Sequence, residues 1–453
     1  MLTKTYLFIY ISLLFHFYAK AQGDSIQSPA KKKKGFGYLF KETMVEDYVE
    51  NTPFKHENYT YVPYIKTVQL ANNGFEMGEA ALNIDDKSER LVLSFDDIES
   101  GFKNFSYTII HCNANWEPSN LFVADYLQGF NEVNINKYTY SISTFLNYTH
   151  YESSFPTNDF NITKTGNYIL KVYKDFDPNQ VVITRRFIVY SDRMLIIPDF
   201  HRPSIVNDRN YKQELDFKVV FNNLKINDLF NDVKVMVLQN NRWDNCKTNL
   251  QPAFIKDNEL TYDYDDKTVF NGNNEFRNFD TRNLQLKNNR VVKIDFKDSI
   301  NQVFLNDDVK RAFKRYSIDF DINGKFYIKN LNGFTNNTDA DYVKTHFYLK
   351  NDLVKDGDVY LFGALTDWSF DKKYKMKYNE STQLYELDLL LKQGYYNYVY
   401  TTLSDGNNQG DDSVIEGSFF ETENEYLILV YVRLMGTNYD QLLGYKRINT
   451  NKL

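Results

Sequence analysis

Cysteine, histidine, proline and glycine are all scarce in this chain, and each scarcity narrows the reading. Two cysteines in 453 residues, Cys112 and Cys246, cannot build a disulfide framework, so stability must come from hydrophobic cores. The two are far apart in sequence and read best as buried small hydrophobes, although an oxidising compartment leaves a bridge open. Six scattered histidines include no pair with the spacing of a zinc site, so no metal is expected. Basic charge is also lacking: the net charge is −7, which argues against a nucleic-acid partner, because neutralising phosphates needs a basic face. Beyond the N-terminus there is no run of twenty apolar residues, hence no transmembrane segment. No G-x-S-x-G, P-loop or dinucleotide fingerprint is present, and no cofactor is expected.

What the chain does have is aromatic residues. Its 36 Tyr and 36 Phe stand against 9 Pro and 19 Gly, and aromatic enrichment suits pleated, half-buried surfaces. With 42% hydrophobic and 25% charged residues the material is globular, and its length calls for about three domains. Short strand signals separated by turn residues recur from Tyr59 onward, without long helical periods. The fold class expected is therefore all-β, as tandem immunoglobulin-like β-sandwich domains.

Residues 1–21 read as a cleaved signal peptide: Lys4, an apolar stretch from Tyr6 to Tyr18, and Ala19-Lys20-Ala21 as the cleavage site. Residues 22–54, with Lys31 to Lys34, read as a linker. Three β-sandwich domains are expected at 55–192, 193–345 and 346–453. The first boundary is suggested by Ile196-Ile197-Pro198 and the polar stretch after it. Within the second domain, Asn323-Gly324 between alternating runs is the strongest hairpin signal, because both central residues of a type I′ turn need positive φ. The third is read as a β-meander ending with EYLILVYVRL.

Catalysis finds little support. His111 and Cys112 are neighbours on a strand, so their side chains point to opposite faces and cannot act as base and nucleophile together. Asp96-Asp97, Asp265-Asp266 and Asp411-Asp412 read as solvated turn carboxylates. Two loops look suited to gripping a partner instead. One, from Asn113 to Asn120, is an exposed connection carrying Trp116, which is either a rigid anchor or a lid over its own sandwich. The other places Arg242 and Trp243 among amides, either to grip a partner's backbone or to fold against its own sheet. Trp116, Arg242 and Trp243 are the partner-binding candidates.

In combination, HCNANWEPSNL, ADYLQGF, YTHY at Tyr148 to Tyr151, QNNRWDN, NEFRNFD, DING, LKQGYYNYVY and EGSF at Glu416 to Phe419 resemble the plug proteins of the Bacteroidetes type IX secretion system. The resemblance implies a non-enzymatic, periplasmic protein. Such a protein would bind the periplasmic opening of the large outer-membrane translocon β-barrel and close its pore when no cargo is engaged. Separately, VYLFGALTDW and LYELDLLLKQGYYNYVY resemble the early-set, glycogen-binding modules, where Trp368 matches a sugar-stacking position. The lysine of that family is replaced by Val399, and its second stacking Trp is missing. An exported glycan-binding protein using Trp368 is the alternative function.

Overall fold

The computed structural model describes residues 52–452 apart from 74–76, 287, 289, 298 and 336. The expected signal peptide and nearly all of the expected linker lie outside the described residues. Regular structure in the described part is almost entirely β, packed as sandwiches, and no described helix is long and apolar enough to cross a membrane.

Three large hydrophobic cores organise the strands. The first lies between two sheets. One has Val181–Tyr190, Gly166–Lys174 and Phe105–Cys112 as neighbours; the other runs Ile65–Asn72, Leu91–Asp97, Thr149–Phe155, Lys137–Tyr140. Their pairing is antiparallel, for example Leu170 opposite Ile109 and Leu93 opposite Ser153. Rings fill the space: Phe95, Phe105 and Tyr151 contact one another at centroid separations of 4.9–5.3 Å.

A second core forms between Met194–His201, Lys212–Phe221 and Glu259–Tyr262 on one side and Val233–Gln239, Glu425–Val432 and Gln441–Asn449 on the other. The third is closed by Arg277–Asp280, Gly394–Leu403, Phe326–Ile328 and Asp358–Phe362 against a sheet centred on Tyr342–Lys350 and Leu384–Lys392.

This arrangement corrects the expected segmentation after residue 193. Glu425–Val432 pairs with Val233–Gln239, placing Val430 opposite Val235, so EYLILVYVRL completes the second core and not the third. Conversely NEFRNFD pairs with Gly394–Leu403, and the division expected between 345 and 346 falls inside the strand Tyr342–Lys350. The third core is thus inserted into the second. The period-2 pattern identifies each strand correctly, but every sandwich strand has that pattern, and pairing is a long-range choice.

Two further readings change. Ile196-Ile197-Pro198 is not a break but part of the strand Met194–His201, which pairs with Lys212–Phe221 and is last in its sheet, the position where proline's missing N–H is tolerated. At Asn323-Gly324 the turn forms as expected, with φ of 52° and 75°. Its two arms do not pair with each other: Phe326–Ile328 pairs with Gly394–Leu403 instead, and Ile322 gives its N–H to Asn397 Oδ1 at 2.6 Å.

Cores one and two meet face to face. Alternate residues of the same strands serve both: Tyr426, Ile428 and Val430 point into the second core, whereas Leu427, Leu429 and Tyr431 point into a separate apolar seam. From the other side Cys112 and Ile169 join that seam. Burial on both faces explains why these strands are almost uninterruptedly apolar.

Candidate functional site: a crevice framed by three tryptophans

The chain has three tryptophans, and the fold brings all of them to one crevice, one from each packing unit. Trp116 sits in a tight turn whose N–H bonds Asn113 O at 2.9 Å, with φ of 67°. That conformation is costly for a bulky side chain and persists only when the surroundings over-determine it. The clamp is visible. Asn167 Nδ2 donates to the carbonyls of Asn113 and Ala114, each at 3.1 Å. Asp440 accepts from Ala114 N and gives its own N–H to Asn113 Oδ1, both at 3.1 Å. The connection is exposed at Asn115, Glu117, Pro118 and Asn120 as expected, but Trp116 itself is folded inward and only 5% exposed.

Trp243 follows Asn240 and Asn241, both left-handed at φ of 51° and 61°, a conformation asparagine adopts more readily than most residues. Its ring stands perpendicular to that of Trp116 with centroids 5.0 Å apart. The Arg186 guanidinium lies over both, 4.5 Å from Trp116 and 5.1 Å from Trp243. Trp368, at φ of 54° after an equally left-handed Asp367, packs on Phe276 and Phe362. A side chain at Gly324 would collide with Trp368 Cη2, so this glycine serves both the turn and the indole. Trp368 is half-buried, one member of a group and not an isolated platform. Arg186, Asn241, Trp243, Asp367 and Trp368 form a wall common to two neighbouring cavities of 190 and 740 Å³.

Arg242 is a correction. Its guanidinium is 2% exposed and is held by Asp244 at 2.8 Å and by a very short pair with Asp412. Burial would lower its pKa, but the Asp412 and Asp244 carboxylates outweigh burial and raise it above the ordinary arginine value. It locks the loop to the third unit and does not face a partner. Asp412 and Asp96 are likewise not solvated. Asp96 is fully buried inside the strand Leu91–Asp97, where it accepts from Lys392 Nζ at 2.6 Å, from Tyr342 Oη at 2.7 Å, and pairs with His150 Nδ1 at 2.6 Å. Burial pushes its pKa up, but Lys392 and His150 prevail and lower it. This cluster joins units one and three, and sequence reasoning missed it because an Asp and a Lys 296 residues apart carry no local signal. Asp265 and Asp266 are exposed as expected.

His111 and Cys112 diverge as the strand geometry requires. His111 bonds Ser119 Oγ at 2.8 Å and Thr165 O at 3.1 Å, and burial lowers its pKa to about 4. Cys112 faces the apolar seam, where Cys246 also packs; both are free thiols, and burial raises each to about 12. One possible ligand triad was also missed: His201, Glu214 and Asp216 bring ligand atoms within 4.8 Å of one another. The strands bearing them pair with His201 opposite Glu214. His201 Nε2 bonds Asp216 at 3.0 Å and Glu214 accepts from Ser204 N at 2.7 Å, so each of the three already has a hydrogen-bond partner.

Residues 65–191 match the family described as the type 9 secretion system plug protein, first domain. A solved structure of a hypothetical protein from Parabacteroides merdae ATCC 43184 is 33% identical, with a TM-score of 0.85, over 88% of this chain and 100% of that one. Through this first domain the chain resembles the type 9 secretion system plug proteins, and at that identity it is of one family with the Parabacteroides merdae protein. The plug-family match includes Trp116 and Arg186 on the crevice wall, while Trp243 and Trp368 lie beyond it. No curated protein matches the chain.

Proposed function

We propose that the chain is a periplasmic, non-enzymatic plug, one that binds the periplasmic opening of the outer-membrane translocon barrel and closes its pore when no cargo is engaged. The observation that carries this reading is the plug-family match over residues 65–191. The construction of the body suits the task, since a stopper must hold its shape. Core one is bonded to core three through Asp96 and Lys392, and to core two through the seam around Trp116 and the Asp440 clamp.

With the Trp116 ring and Arg242 packed internally, we place contact with the barrel on other surfaces. The strand Lys137–Tyr140 is last in its sheet and entirely exposed. With Phe102, Ile142 and Phe145 it presents an aromatic edge, and large aromatics are the usual anchors of an interface.

The test is affinity purification of the tagged mature chain from its native envelope. Recovery of one very large outer-membrane β-barrel, lost when Tyr138 and Tyr140 are both changed to Ser, is the expected result. Recovery of no barrel, together with an outer membrane equally permeable with and without the chain, overturns the reading.

A further inference from the structure

Three features of the tryptophan crevice are not accounted for by internal packing. The first is an unmatched cation. Arg186 gives its Nε–H to His56 O at 2.8 Å and lies on two indoles, yet no carboxylate among the described residues pairs with it. The carboxylates around it are already taken: Asp367 by Arg185 at 3.2 Å, Asp244 by Arg242, Asp371 by Lys373 at 3.7 Å, Glu57 by Lys55 at 3.2 Å. A guanidinium withdrawn from water ordinarily finds a close counter-charge, and here burial, only partly offset by the Glu57 charge, lowers the pKa of Arg186 to about 10.

The second feature is unpaired backbone. Ile65–Asn72 and Phe326–Ile328 are each last in their sheets, and Val68, Gln69, Leu70 and Phe326 line the crevice. An edge strand presents free N–H and C=O groups, which an extended peptide can satisfy by adding a strand. The third is a spare donor: Trp116 Nε1 is buried on the same wall without a hydrogen-bond partner among the described residues.

We propose that this crevice binds an extended peptide segment bearing an Asp or Glu side chain, with the carboxylate paired to Arg186 and the backbone laid along the edge strand Ile65–Asn72. Each part of the ligand has a counterpart. The guanidinium fork matches a carboxylate through two parallel hydrogen bonds. Trp243 and Trp368 supply large, stiff contact area, and Trp116 Nε1–H donates to a peptide carbonyl. A neutral segment would leave Arg186 unmatched, and an unextended one would not follow the sheet edge. This site is separate from the aromatic edge at Lys137–Tyr140, and the inference does not rest on the plug reading.

The test uses the full mature chain, immobilised, and two pools of capped nonapeptides with random flanks, one fixed as Glu at the centre and one as Gln. The Glu pool should be retained about tenfold more than the Gln pool, the scale of one charge-assisted hydrogen-bonded pair. It should also shift tryptophan fluorescence, since all three indoles of the chain line the site. Arg186→Met should abolish the difference between pools while leaving the circular dichroism unchanged. Should that variant not fold, Arg186→Lys, which keeps the charge and loses the fork, is expected to reduce retention severalfold. Equal retention of the two pools overturns the proposal, as does a Glu preference that survives in folded Arg186→Met. Tighter retention of an oligoglucuronate than of the Glu pool overturns it in favour of an anionic glycan.

Discussion

Unit one is bonded to its two neighbours by opposite chemistries. Against unit two it uses an apolar seam of Cys112, Trp116, Ile169, Leu238, Leu429 and Tyr431. Against unit three it uses a buried charge cluster: Lys392 Nζ reaches both Asp96 and the carbonyl of Asn337 at 2.6 Å and lies 4.2 Å from the centre of the Tyr148 ring. The apolar seam gains by removing surface from water and is tolerant of register, because its contacts are non-directional. The charged one is stabilising only as a complete set. Each ion lost its hydration on burial, and removing one partner strands the other. The same polypeptide thus holds one junction mainly by area, with the Asp440 and Tyr431 hydrogen bonds beside it, and the other by stoichiometry.

That contrast can be broken most strongly at Lys392. Lys392→Met leaves Asp96 buried and unneutralised, and should cost about 3–5 kcal/mol in chemical denaturation. Adding Asp96→Asn to the same chain should return part of that loss, whereas two independent sites would show additive losses. The matching cut in the apolar seam is Trp116→Ala. It should cost about 3 kcal/mol, the lower end for truncating a buried large aromatic, and no second substitution of a seam residue should return any of it.

A gentler probe is pH. His111 is held neutral, its pKa lowered by burial from 6.5 to about 4. The unfolded chain therefore binds a proton first on acidification. Stability from this group is complete above the unfolded value and is lost as pH falls from 6.5 towards 4, by on the order of 3 kcal/mol in all. His111→Gln should flatten that part of the stability-versus-pH curve. Below it, Glu416 takes over: burial raises its pKa, but Arg277 and Arg311 outweigh burial and hold it at about 2.

The readings that survived and those that fell divide along a physical line. Strand identity, the all-β class and the Asn323-Gly324 turn are local properties, set by side-chain alternation and by which residues tolerate positive φ. The structure bears those out. The separation of His111 from Cys112 holds for the same reason. Trp116 and Trp243 stood out as unusual residues for loops, and they do belong to one place. What they do there was illegible, because nothing in HCNANWEPSNL or QNNRWDN says that the two turns face each other across a seam. Arg242 was misread as a gripping residue since its partner Asp412 lies 170 residues away. Asp96-Asp97 was misread as a turn because paired acids in strands are uncommon, and only burial beside Lys392 makes one tolerable.

Composition and periodicity by themselves determined that this chain must be built of many short strands around aromatic cores, since alternation dictates which face each side chain presents. Only the tertiary structure decided that the last two strands return to the second core, that three tryptophans share one crevice, and that no carboxylate of the described residues pairs with Arg186 there. Strand pairing and charge pairing over hundreds of residues depend on which surfaces meet, and that is a property of the whole packed chain.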